Sequence, residues 1–426
     1  MKNRMFHSIG ALLLAVSLSS CGKAAPRADE PSPEAADQKL VLEVLNPKVE
    51  ISTQFEQMVR EYEKENPNVE LKLLTFGGGS DYLTELKARF ASNQGPDIFP
   101  NGGYEEAHEW RLYLEDLSDQ PWVSLVRDEA LEPMRIDGKT YGMPYNYEGY
   151  GFIYNKDLFA KAGIGTPPKT FSELRTAVEK LHAAGILPFE VGYADSWKFI
   201  LLLNIAFASQ DNPDSFIRGL YDGTQTIEGN KVFEELLRTI DLTVQYGNAD
   251  YLTTDYSTEV KRFAAGEAAI LMQGNWVQFK LDQLTPHMNI GFLPISINDD
   301  AGNDALPLGI SNNWAINKDA SPEKKREAKK FLNWMITSKQ GKSFMRDRFH
   351  YISAFKHIGT LRSGPLVNDL VRYADEKKTL TWNWFKFPPR VREEYGYMMQ
   401  AYVGKELNRE QLLRELQRIW EKAVQK

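Results

Sequence analysis

From Leu40 onward the chain alternates between strand and helix signals, and this alternation limits the fold more than any other feature. LVLEVLN (40 to 46) reads as a strand. Phe55, Met58, Val59 and Tyr62 then recur at helical spacing in a segment that ends at Asn66-Pro67. VELKLLTF (69 to 76) is a second strand. The triple glycine at 77 to 79 leads into a helix that Ser80 is placed to cap, running to about Asn93, and Gly95-Pro96 introduces a third strand at 97 to 99. Strands alternating with helices in this way form a parallel sheet covered on its faces, and ligands sit beyond the carboxyl ends of such strands. Here those ends are Asn46, Gly77 to Asp81, and Pro100 to Tyr104.

The pattern restarts after GKTYGMPYNYEGYGFIYNKDLF (138 to 159), with a strand near 151 to 154 and a helix from Phe171 to Ala184. Amphipathic helices are expected at about 230 to 246 and 257 to 265, a strand at AAILMQ (268 to 273), and a long helix near 321 to 337 with Pro322 close to its start. In the last segment, LLRELQRIWEKAV (412 to 424), Leu412, Leu416, Ile419 and Ala423 share one face, the pattern of a helix docked on the body. The roughly 390 residues after the N-terminal region are too many for one hydrophobic core and call for two lobes.

The N-terminal region reads separately. Lys2 and Arg4 precede an apolar run from Ile9 to Leu18, about half the ~20 residues a membrane-spanning helix needs, and Leu18-Ser19-Ser20-Cys21 matches a lipobox. Cys21 is therefore expected to be lipidated and to become the first residue after cleavage. It is also the only cysteine, so no disulfide or cysteine metal site is expected in the body. Residues 22 to 38 are rich in Ala, Pro and charge, lack large apolar side chains, and read as a disordered tether spanning on the order of 20 Å. A formal net charge of -7, with no Lys/Arg cluster, argues against a nucleic-acid partner.

GPDIF, GKTYGMPYNYEGYGFIYNKDLF, FAAGEAAILMQGNW and SPEKKREAKKFLNWMITSKQG occur in this order behind the lipobox. The set resembles the extracellular solute-binding proteins of bacterial carbohydrate ABC importers, the broad group that includes maltose-binding protein, over essentially the whole chain from Leu40. The resemblance implies an α/β fold of two lobes with a ligand cleft between them, joined by a hinge that the chain crosses near Met143 to Glu148, near Ser311 to Asn313 and near Thr360. Residues 39 to 146 and 312 to 360 would then form the first lobe, and 147 to 311 and 361 to 426 the second. With the lipid expected on Cys21, the body is expected to be a monomer held at the outer face of the cell membrane, or facing the periplasm if the host has an outer membrane. This monomer would use no cofactor and would hand a mono- or oligosaccharide to membrane permease subunits.

A sugar offers C–H patches that pack on aromatic faces and hydroxyls that pair with carboxylates and amides. Asp81 follows the triple-glycine loop; it is read either as a hydroxyl acceptor or as a first-turn Asp on a helix dipole. Asn101, in PNGGY, is a cleft residue or ordinary turn chemistry. Glu148 lies at the first crossing and matches an acidic sugar contact of the family, with Tyr145 and Tyr147 as weaker companions. Trp197 resembles an aromatic that opens a helix on the second lobe's cleft face; the alternative is a core tryptophan. Trp276, beside Asn275, corresponds to a residue that stacks on sugar in many relatives. Trp314, with Asn312 or Asn313, lines the cleft or packs the hinge. Trp382 and Trp384 fall where relatives place a late cleft aromatic; in a strand, both would share a face, and one of them is expected to pack internally. The PNGGYEE stretch departs from the acidic and basic sugar contacts of maltose-binding protein, so maltose itself is not implied.

Other chemistries find little support. A glycosidase needs two carboxyl groups across the scissile bond, which spacing in sequence neither supports nor excludes. No G-x-S-x-G occurs. Gly341-Lys342-Ser343 has Ile336, and Gly138-Lys139-Thr140 has Pro133, where a phosphate-binding loop requires its first glycine. The six histidines show no zinc-ligand spacing. A peptide or polyamine ligand on the same fold is the remaining alternative, though a set of mainly Trp, Tyr and Asn suits a neutral polyol better.

Overall fold

Among the described residues, eleven strands build the two larger sheets. In chain order they are β1 (Leu40–Asn46), β2 (Val69–Thr75), β3 (Ile98–Asn101), β4 (Met143–Pro144), β5 (Tyr147–Asn155), β6 (Leu187–Glu190), β7 (Ala268–Gly274), β8 (Ile290–Leu293), β9 (Leu306–Ile310), β10 (Asn313–Ile316) and β11 (Thr379–Leu380). The computed structural model describes residues 39–76, 82–360, 364–388 and 390–425. Asp81 and Cys21 lie outside these residues.

The first sheet has the order β2-β1-β3-β10-β4. β1 runs parallel to β2 and β3, as the strand–helix alternation requires, whereas β10 returns antiparallel from a distant part of the chain. The helix Ser52–Glu65 buries Phe55, Met58, Val59 and Tyr62, the periodic set read from sequence. These side chains pack with Trp314, Phe331 and Trp334 in the first lobe's core. Ser321 caps the helix Pro322–Thr337 by accepting from the Lys324 N–H.

The second sheet has the order β11-β9-β5-β7-β6, with β8 also paired to β5. β5 is longer than the sequence pattern indicates because its first residues, Tyr147 to Gly149, pair with β9. Around this sheet, helices Lys198–Ala208, Lys231–Gln245 and Arg409–Val424 enclose a core that includes Phe199, Phe207, Phe233, Leu416 and Trp420. The closing helix thus docks through Leu412, Leu416 and Ile419, with Trp420 buried beside them.

Two adjacent passages link the sheets: residues 145–146, from β4 to β5, and residues 311–312, from β9 to β10. They are bonded to each other. The Tyr145 N–H donates to Asn312 O at 2.9 Å, and the Ser311 hydroxyl donates to Asn146 Oδ1 at 2.9 Å. A short ladder of this kind bends more easily than the sheets it joins, because few backbone dihedrals must change.

Candidate functional site

Where the two lobes face each other, a narrow cavity of about 30 Å³ is lined from both sides. At the carboxyl end of β1 the Asn46 side chain folds the backbone into a turn: Nδ2 donates to Lys48 O at 2.9 Å, and the Lys48 N–H donates to Oδ1 at 3.0 Å. This turn sends Lys48 across the gap to Glu148 on β5, where its Nζ donates to both carboxylate oxygens at 2.7 and 2.6 Å. Both side chains are largely removed from solvent, at 13% and 5% exposure, so the pair lies inside the interlobe space and not on its rim. Close by, Glu50 accepts from the Tyr256 hydroxyl at 2.9 Å, a second bond between lobes. Burial raises the Glu50 carboxyl above its ordinary range, against the opposing effect of Lys48.

The second lobe's wall is built at the end of β7. Gly274 lies against the Trp276 ring, and a Cβ at position 274 would sit 2.0 Å from it, so glycine is what lets the indole settle on the backbone. Asn275 is buried, and its Oδ1 accepts from the Gly149 N–H at 3.0 Å, tying this turn to β5 beside Glu148. Trp276 is half-buried, and its indole N–H donates to Gln273 Oε1 at 2.8 Å. Trp197 opens the helix Lys198–Ala208, is also half-buried, and has its ring centroid 6.3 Å from that of Tyr256.

The structure therefore brings Glu148, Asn275 and Trp276 together on one cavity. The other candidates lie elsewhere. Asn101 and Asn313 are fully buried partners across β3 and β10; Asn101 Oδ1 accepts from the Gly103 N–H, its turn role, and Asn313 Nδ2 donates to Asn101 O. Trp314 is buried under the crossing and stacks on Tyr145, with ring centroids 3.9 Å apart and planes at 21°. Asn312 lends its carbonyl to the crossing. Tyr147 begins β5 and donates to Glu129. Trp382 and Trp384 are not in a strand. Trp384 begins a 3-10 turn, and the two rings pack 4.4 Å apart in the second lobe's core.

Lys48 and Glu50 line the cavity, Tyr256 bonds to Glu50, and none of the three was singled out from sequence. The rule that ligands lie beyond strand carboxyl ends points to Lys48, two residues past Asn46. A second contact joins the lobes away from the cavity: Arg392 donates to the buried Glu106 carboxylate at 2.6 Å, and the Phe385 ring packs against Gly102 so closely that a Cβ there would lie 2.1 Å from it. Among the described residues no group of three or more His, Cys, Asp or Glu side chains could hold a metal ion. No helix among them is long and apolar enough to cross a membrane.

Comparison with known proteins agrees with this architecture. The family model described as bacterial extracellular solute-binding protein matches residues 46–342, and the chain belongs to that family. It is similar to the multiple sugar-binding protein of Streptococcus mutans, with 22% identity over 79% of this chain and 80% of the relative. It is also similar to the maltotriose-binding protein of Pyrococcus abyssi, with 26% identity over 75% of this chain and 67% of the relative. Among solved structures, a chitin oligosaccharide binding protein superposes with a TM-score of 0.81 at 23% identity, over 91% of this chain and all of that one.

Proposed function

We propose that this chain is the receptor of a carbohydrate importer: it captures a mono- or oligosaccharide between its lobes and presents it to ABC permease subunits. The observation that carries this reading is the pairing, across one interlobe cavity, of an aromatic face (Trp276) with a carboxylate and an amine (Glu148 and Lys48). A pyranose ring lays its C–H face on the indole, and its hydroxyls bond beside the Lys48–Glu148 pair. Ligand contacts made by both lobes favour the closed state over the open one, with the passages at 145–146 and 311–312 as the hinge. The passages support lobe boundaries after residues 146 and 311, and the resemblance to the family supports the one after 360. Relatives named for multiple sugars and for maltotriose support the ligand class. The chain acts as a monomer, lipid-anchored through Cys21 on the outer face of the cell membrane, and catalyses no reaction on its ligand.

Thermal unfolding of residues 22 to 426 against mono- and oligosaccharides, polyamines and peptides tests this. A ligand at about 100 times its Kd adds roughly 2.7 kcal/mol, which raises Tm by a few degrees. A shift with one sugar class, with that sugar recovered intact by mass spectrometry, is expected. A shift only with polyamines or peptides, or consumption of the sugar, overturns the reading.

A further inference from the structure

Behind the cavity wall lies an ion pair that the binding reading does not use. Lys198, on the first turn of helix Lys198–Ala208, contacts Glu259, on helix Tyr256–Ala264, and both side chains are almost wholly buried. Gly192 lies so close that a Cβ there would be 2.6 Å from both the Lys198 ammonium and a Glu259 oxygen, so the chain is shaped around the pair. Burying two charges carries a desolvation penalty that their attraction often fails to recover, so stability alone is a weak reason for the pair to be there.

Its connections suggest another reason. Gln273 is fully buried between Glu259 and Trp276, donating from Nε2 to Glu259 Oε1 at 2.6 Å and accepting the Trp276 indole N–H at Oε1. The polarity is forced. An ionised carboxylate only accepts and an indole N–H only donates, so Gln273 must turn its NH₂ toward Glu259 and its oxygen toward Trp276. Burial raises the Glu259 carboxyl to about 7, and Lys198 opposes that shift, favouring the ionised form. On the other side, Lys198 follows Trp197 directly, and the Asp195 carboxylate accepts the Tyr256 N–H at 2.6 Å, tying the two helix starts together.

We propose that Lys198, Glu259 and Gln273 are positioning residues for the ligand platform: through this buried relay they set the plane of the Trp276 indole and hold Trp197 and Tyr256 beside it. The consequence for affinity rests on the sugar-binding reading; the consequence for the indole does not.

The test is the charge-swapped full chain, Lys198→Glu/Glu259→Lys. The ion pair survives, but residue 259 now donates, so Gln273 must reverse and its NH₂ meets the Trp276 N–H. The expected result is a folded protein whose Trp276 indole N–H resonance, read by NMR without sugar, moves from its wild-type position. Its Kd for the sugar that stabilises wild type most should rise about three- to ten-fold, the effect of one hydrogen bond. If the swapped chain does not fold, Lys198→Met/Glu259→Leu replaces the pair with apolar side chains and carries the same two expectations. Gln273→Leu should cause the same loss, and combining it with either pair variant should add nothing further. An unmoved indole resonance, or losses that simply add, overturns the relay. A wild-type protein that binds no sugar while the indole still moves refutes the sugar reading and leaves the relay standing.

Discussion

Replacing Glu148 with Gln should separate affinity from stability. In the structure the Glu148 carboxylate accepts from Lys48 at both oxygens, at 2.7 and 2.6 Å, across the interlobe cavity. Hydrogen bonds to charged groups are worth about 1.5–3 kcal/mol and neutral ones about 0.5–1.5, so neutralising one end of two such bonds costs roughly 2 kcal/mol. The loss falls on closure and not on folding, because opening the lobes returns Lys48 and residue 148 to water. Glu148→Gln should therefore raise Kd about thirty-fold while the urea midpoint stays nearly unchanged. Titration calorimetry gives the first quantity and chemical denaturation the second. Lys48→Gln should behave alike, and the double variant should lose less than the sum of the single losses. A Glu148→Gln protein that binds normally but unfolds more easily would refute the reasoning, since the pair would then be internal to one lobe.

Trp276→Ala should weaken sugar binding by more than about ten-fold without unfolding the protein, since it removes a half-buried aromatic face at the cavity; unchanged affinity would remove Trp276 from the site. Gly274→Ala should weaken binding too, with a shifted tryptophan emission, because the new methyl would displace the ring now 2.0 Å from that position. Trp314→Ala, by contrast, should cost about 3–5 kcal/mol of stability in urea unfolding, because the side chain is buried against Tyr145 and Phe55. Burial raises Glu190 to about 7, against the opposing pull of Arg262. Between its unfolded value near 4.5 and that pH the folded chain holds a proton the unfolded chain has released, so this group makes stability fall as pH rises. Glu190→Gln should remove that slope, gaining on wild type between pH 5 and pH 8 in denaturant unfolding.

The strand–helix alternation and the two-lobed α/β fold were legible because apolar spacing is local. Phe55, Met58, Val59 and Tyr62 mark a helix whatever lies around them. The candidate site was legible only in part. Glu148, Asn275 and Trp276 stood out through motif resemblance, whereas Lys48 meets Glu148 across a separation of 100 residues that no local pattern reports. Trp314, Trp382 and Trp384 mislead for the opposite reason: an aromatic near a strand end looks alike whether it faces a cleft or fills a core. For Trp382 and Trp384 a single side chain decides the matter. Asn204 donates to Thr381 O and accepts from the Asn383 N–H, occupying backbone groups that a neighbouring strand would use, so the segment turns and both rings go inward.

A crystal structure of residues 22 to 426 with the sugar that most raises Tm would test the central claim most directly. The expected result is a sugar ring packed on Trp276, with a hydroxyl donating to Glu148 and contacts from both lobes. A sugar bound outside the cavity, or held by one lobe alone, would contradict capture by closure.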